Sequence, residues 1–183
     1  PEVNKGGGDN TLPADWNTHA TDQTIRANIN ASRGNGNISL FAGHDVLHNS
    51  GLISAAGSGA INVSAGEDFN GGVNQAGNAD GDVTMADGVT ITSGSGTIEV
   101  EATTNVELST LSTSGNVTVS ADDNDFALAD NAGAISDVLT AEGGGGGENI
   151  IGAAIDLDAA TGIGGGATLG TADIDINGTS LSA

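Results

Sequence analysis

One short phrase returns six times along the chain, and a strand-length phrase repeated in this way restricts the fold to stacked coils. The copies are Ile38-Ser39-Leu40-Phe41-Ala42, Ile61-Asn62-Val63-Ser64-Ala65, Ile98-Glu99-Val100-Glu101-Ala102, Val117-Thr118-Val119-Ser120-Ala121, Ile155-Asp156-Leu157-Asp158-Ala159 and Ile174-Asp175-Ile176-Asn177-Gly178. Each alternates apolar with polar or surface-type residues, the period of a strand with one buried and one exposed face. A single such unit cannot bury its apolar face, so neighbours must stack around a shared core. Ile98 to Val117 and Ile155 to Ile174 are steps of 19 residues, and Val117 to Ile155 is twice that, which reads as two coils. Upstream the steps are 23 from Ile38 to Ile61, 22 from Ile61 to Val83 and 15 from Val83 to Ile98. Loops between strands absorb such differences. The expected fold is therefore all-β, a parallel β-helix with coils of about 19–23 residues. About eight coils at 4.8 Å each would make a rod about 40 Å long.

A second apolar register supports the first. Val46, Phe69, Ile91, Val106 and Ile163 each follow a phrase start by eight residues, and Phe126 follows Val117 by nine. Between the two sites lie Gly43-His44-Asp45, Gly66-Glu67-Asp68, Thr103-Thr104-Asn105 and Asp122-Asp123-Asn124-Asp125. Asp, Asn and Gly suit tight corners because they accept unusual backbone angles and satisfy local amides. Residues 1–22 carry no strand phrase and read as a linker, cap or inter-subunit connector, with the solenoid over residues 23–183.

Composition fits a thin solenoid. Aromatics are 2% of the chain, too few for a thick globular centre but no obstacle to a core of Ile, Val, Leu and Ala. Three Lys+Arg stand against 24 Asp+Glu, a net charge of −21. Phosphate backbones need basic residues, so nucleic acid is not an expected partner, and an anionic membrane surface is equally disfavoured. No apolar run approaches spanning length, so membrane insertion is not expected. Without Cys the chain has no disulfide, and without an initial Met or a visible signal peptide it reads as a processed product or a piece of a longer polypeptide.

The segments Gly36-Asn37-Ile38-Ser39-Leu40-Phe41-Ala42-Gly43-His44-Asp45-Val46 and Gly59-Ala60-Ile61-Asn62-Val63-Ser64-Ala65-Gly66-Glu67-Asp68-Phe69 resemble the repeat of filamentous-haemagglutinin-like large exoproteins. Gly115-Asn116-Val117-Thr118-Val119-Ser120-Ala121 is a shorter match. The motif is degenerate and specifies fold better than partner. The resemblance implies a right-handed parallel β-helix in a secreted or surface-displayed bacterial adhesin. Two departures stand out: no secretion domain is recognisable, and the glycine runs at 143–147 and 164–166 are foreign to the repeat.

The strongest local chemistry is acidic. Asp156 and Asp158 point outward from one phrase, and Asp175, 19 residues after Asp156, is expected to stack one strand spacing from it. Like charges that close call for a cation, and Ca²⁺ prefers such oxygen donors. Asp122, Asp123 and Asp125 form a second oxygen-rich cluster, at a corner. These six residues are the candidate Ca²⁺ ligands; a solvated acidic face and ordinary Asx turns are the alternative, in which no cofactor is required. Asn78-Ala79-Asp80-Gly81-Asp82 does not complete an EF-hand, because the twelfth position is Val89. His44 and His48, an even number apart, would share a strand face and, with Asp45, would suggest a transition-metal site; surface turn histidines are the plainer reading.

A structural role is expected: a stiff stalk or spacer in an adhesin, touching a ligand on a host or neighbouring cell. The alternative is a subunit that stacks on copies of itself into an extracellular filament or sheath, with cations as bridges. A polysaccharide-active β-helix enzyme is a minor alternative, with Asp122 and Asp125 as acid and base. The shortage of Lys, Arg and aromatic sugar platforms weighs against that reading, so the chain is not expected to be an enzyme.

Overall fold

A computed structural model of the chain describes residues 22–31, 34–66, 81–121, 133–140, 147–164 and 173–183. The described residues build a parallel β-helix of six coils, each contributing one strand to each of three sheets. The first coil holds β1 (Gln23–Ile25), β2 (Ile29–Ala31) and β3 (Ile38–Ala42). Next come β4 (Val46–His48), β5 (Leu52–Ala55) and β6 (Ile61–Ala65), then β7 (Val83–Met85), β8 (Thr90–Ser93) and β9 (Ile98–Ala102). The fourth coil holds β10 (Val106–Leu108), β11 (Thr110–Ser112) and β12 (Val117–Ala121). The last two hold β13 (Ala134–Asp137), β14 (Ile150–Ile151) and β15 (Ala154–Ala159), then β16 (Gly162–Ile163), β17 (Ile176–Asn177) and β18 (Ser180–Ser182).

Every neighbour pairing is parallel and in register, so like side chains stack into ladders. In the third sheet, Ile38, Ile61, Ile98, Val117, Ile155 and Leu181 form one column. Leu40, Val63, Val100, Val119 and Leu157 form a second, and Ala42, Ala65, Ala102, Ala121 and Ala159 a third. The first sheet stacks Val46, Val83, Val106, Ile135 and Ile163, and the second stacks Ile29, Ile53, Ile91, Leu111, Ile150 and Ile176. Apart from Ile163 and Leu181 of the last coil, these positions merge into one aliphatic core. Burial at about 25 cal/mol per Å² of apolar area is the main favourable contribution, and the thin core explains why so few aromatics suffice.

The register corrects the expected coil count. Val117 pairs directly with Ile155, so the 38-residue step is one coil with long connections, not two coils of 19. Ile61 pairs with Ile98, while Val83 belongs to the first sheet between Val46 and Val106. Ile91, eight residues after Val83, therefore lies in the second sheet. The copy beginning at Ile174 is also reassigned: Ile176 pairs with Ile150 in the second sheet, and Leu181 takes the place above Ile155. The cause is physical. All three faces of a coil need the same inward–outward alternation, so alternation marks a strand but not its sheet. Six coils span about 24 Å between first and last strands rather than 40. Of the expected linker, residues 1–21 lie outside the described residues, as does Phe126; the place above Val106 in the first sheet is taken by Ile135.

Candidate functional site

The entry to the first sheet is the most organised polar feature. Asp22, Asp45, Asp82 and Asn105 immediately precede β1, β4, β7 and β10, and the register stacks them in one column. A corner residue turns its amide away from the strand ladder, and that N–H needs an acceptor. The column supplies it from the preceding coil. Asp82 N–H donates to Asp45 Oδ1 at 3.0 Å, Asn105 N–H to Asp82 Oδ1 at 2.8 Å, and Ala134 N–H to Asn105 Oδ1 at 3.1 Å. Asp82 Oδ1 also accepts the Thr104 hydroxyl and, at 3.1 Å, the Asn105 side-chain amide. At the first step of the column the acceptor meets a ring. His44 Nδ1 lies 2.7 Å from Asp22 Oδ1 and 3.2 Å from Asp45 Oδ2, placing two carboxylates and an imidazole from two coils within reach of one ion.

His48 behaves quite differently from the turn histidine expected at that position. It is buried on the inner face of β4, between Ile25 of β1 and Met85 of β7. Its Nε2 donates to the Gly51 carbonyl at 3.0 Å, and its buried Nδ1 has no hydrogen-bond partner among the described residues. Desolvation lowers its pKa below the ordinary 6.5, with the Gly51 carbonyl opposing part of the shift. In the unfolded chain His48 takes up a proton as pH falls through about 6.5, while the folded chain resists it. Below that pH the unfolded state binds more protons, so stability is fully present above 6.5 and declines as pH drops toward the folded pKa. Urea titrations of wild type and His48→Met at pH 7.5, 6.5 and 5.5 should show wild type losing more stability on acidification. Parallel losses would refute the assignment.

Of the candidate Ca²⁺ ligands, Asp156 and Asp175 do not stack on each other as expected. Asp156 and Asp158 do project outward from β15, both exposed. Asp156, however, stacks between Thr118 and Ser182 and accepts the Ser182 hydroxyl at 2.6 Å, so no Asp175 lies above it. Asp175 sits at the entry to β17, its N–H donating to Asn149 Oδ1 and its carbonyl accepting the N–H groups of Asn149 and Ile150. The expected step of 19 residues is 26 at this coil, which separates the pair. Asp122, Asp123 and Asp125 lie outside the described residues, as do residues 78–80 of the other acidic turn. On the outer face of the third sheet, Thr118 and Ser120 of β12 separate Glu99 and Glu101 of β9 from Asp156 and Asp158. That leaves the acidic rows two strand spacings apart, about 9.6 Å, close to the screening length at physiological salt. That spacing weakens the repulsion between the two rows.

Sequence reasoning named the corner chemistry around His44 and Asp45 but missed the column and the part of Asp22. The signal was present: Asp22, Asp45, Asp82 and Asn105 each stand directly before the first residue of a first-sheet strand. No protein-family model, curated protein or solved structure matches the chain.

Proposed function

We propose that this chain is a structural segment of a secreted or surface-displayed bacterial adhesin-like exoprotein, serving as a stiff β-helical stalk or spacer. The observation carrying this reading is the continuous parallel register of all three sheets, in which two aliphatic ladders, from Ile38 to Leu181 and from Ile29 to Ile176, run through all six coils. Hydrogen bonds between coils run along the axis, and each is backed by an apolar ladder, so bending or stretching must open many contacts together. Force spectroscopy on the chain held at its two ends tests this directly. Stepwise release of coil-sized lengths at sustained force is expected; featureless extension at low force would contradict a load-bearing rod.

A second reading, axial assembly with copies of the same chain, draws on one further feature. β18 is the outermost strand of its sheet, and the ladder residues Leu181 and Ile163 of the last coil are 56% and 37% exposed. Strand edges backed by aliphatic side chains accept another coil, from the same polypeptide or from another copy. Electron microscopy of the purified chain with Ca²⁺ and with chelator separates the two readings. Long filaments would favour assembly, and their loss in chelator would place cations at the contacts. Discrete short rods in both conditions favour the stalk.

A further inference from the structure

We infer that Asp22, His44 and Asp45 form a binding site for a transition-metal dication of the Zn²⁺ class, clamping the first coil to the second. The geometry carries the inference. Metal–ligand bonds of about 2.0–2.2 Å at tetrahedral or octahedral angles place neighbouring donor atoms about 2.8–3.6 Å apart. His44 Nδ1 stands 3.2 Å from Asp45 Oδ2 and 2.7 Å from Asp22 Oδ1, and the three donor atoms all lie within 4.8 Å of one another. An ion can therefore enter after small side-chain rotations, with no movement of the backbone.

The donors are also held in place. Asp45 divides its oxygens: Oδ1 accepts the Asp82 amide from the third coil, which leaves Oδ2 turned to the ring. Its carbonyl accepts the Gln23 amide at 2.7 Å, fixing Asp22 against it, and the His44 carbonyl accepts the Gly66 amide at 2.9 Å. Such outer hydrogen bonds orient metal ligands and sharpen affinity. The side chains are 47%, 36% and 22% exposed for Asp22, His44 and Asp45, leaving room for waters to complete the coordination. A chain of net charge −21 draws cations to this corner.

Donor chemistry selects the ion. Ca²⁺ seeks six to eight oxygens and gains little from imidazole, whereas one nitrogen with two carboxylates suits Zn²⁺, Co²⁺ or Ni²⁺. A proton is the competing occupant. An Nδ1–H directs its single hydrogen to one carboxylate, while a metal at neutral Nδ1 engages both. The ion therefore takes the place of the Nδ1 hydrogen.

Calorimetric titration of Zn²⁺ into the full chain at pH 7, in 0.15 M salt with millimolar Ca²⁺ occupying weak carboxylate sites, tests the proposal. One saturable site is expected, at least tenfold weakened in His44→Gln and in Asp22→Asn, and unchanged in Asp158→Asn on the remote acidic face. Proton NMR of wild type should show His44 ring signals shifting with one equivalent of Zn²⁺ while those of His48 stay. Circular dichroism of the metal-free variants establishes that they fold. Equal affinity in His44→Gln, absence of saturable binding below about 0.1 mM Zn²⁺, or full competition by Ca²⁺ would overturn the assignment.

Discussion

Replacing Gly96 with Ala should break the solenoid at its middle coils. A Cβ at Gly96 would stand 2.1 Å from the Gly59 carbonyl oxygen and 2.4 Å from the Gly59 carbonyl carbon. Both are backbone atoms of the coil below, with no flexible side-chain end that can swing aside. Nor is the lower carbonyl free to retreat, because it accepts the Ser93 hydroxyl at 2.7 Å, and that hydroxyl accepts the Gly96 amide at 3.1 Å. One coil higher, Thr113 repeats the arrangement between the Gly96 carbonyl and the Gly115 amide. The cost should reach about 3 kcal/mol or more, the upper range for overpacking. Gly88→Ala provides the contrast. There a Cβ meets nothing within 4 Å, but φ is +78°, so the penalty is conformational and about 1–2 kcal/mol. Urea unfolding followed by circular dichroism ranks the two. If Gly96→Ala stays within about 1 kcal/mol of wild type, the corner opens freely and the close stacking is not a constraint.

This glycine column shows how much of the fold can be read from the chain. Gly36, Gly59, Gly96 and Gly115 each precede a third-sheet phrase by two residues, so the pattern is visible in one dimension. Its reason is not, since it depends on which residues the coils bring into contact. The strand phrases had the same strength and the same limit. Alternation located β3, β6, β9, β12 and β15 and identified a parallel solenoid. It did not tell third-sheet strands from β7 or β17, nor β8 from the first-sheet strands β4 and β10, because every face of a coil obeys the same rule. Coil number then depended on step lengths, and long connections such as that between Val117 and Ile155 imitate a whole extra coil.

The candidate site was legible for a related reason only in part. Counting from His44 to His48 as though both lay in one strand put them on one face, but a corner intervenes before β4 begins at Val46. Parity holds only within a strand. Counted from Val46, which points inward, His48 also points inward, where it is found. Asp22 was invisible as a ligand because its partner stands 22 residues away, and only the β1–β4 register brings them together. The Asp156–Asp175 pair failed for the opposite reason: a constant step was assumed where the connection had lengthened.

Ile98→Ala should have the second large effect, and its contrast with Leu181→Ala tests the rod-like reading of stability. Ile98 is fully buried in β9, stacked between Ile61 and Val117, so truncation leaves a cavity bounded by coils on both sides. Buried Ile-to-Ala changes cost about 2–5 kcal/mol. Leu181 occupies the same ladder in the last coil, but with 56% exposure its truncation should cost less than about 0.5 kcal/mol. The difference follows from one-dimensional packing, in which an interior coil has two neighbours and contributes to two interfaces. Hydrogen exchange should accordingly show lost protection spreading from β9 into β6 and β12, while Leu181→Ala affects β18 and little beyond. Protection lost evenly over all coils in both variants would mean that the coils melt as one globular unit. One-dimensional packing instead makes a coil most resistant where it has a neighbour on either side, and least where its ladder residue is exposed, as at Leu181.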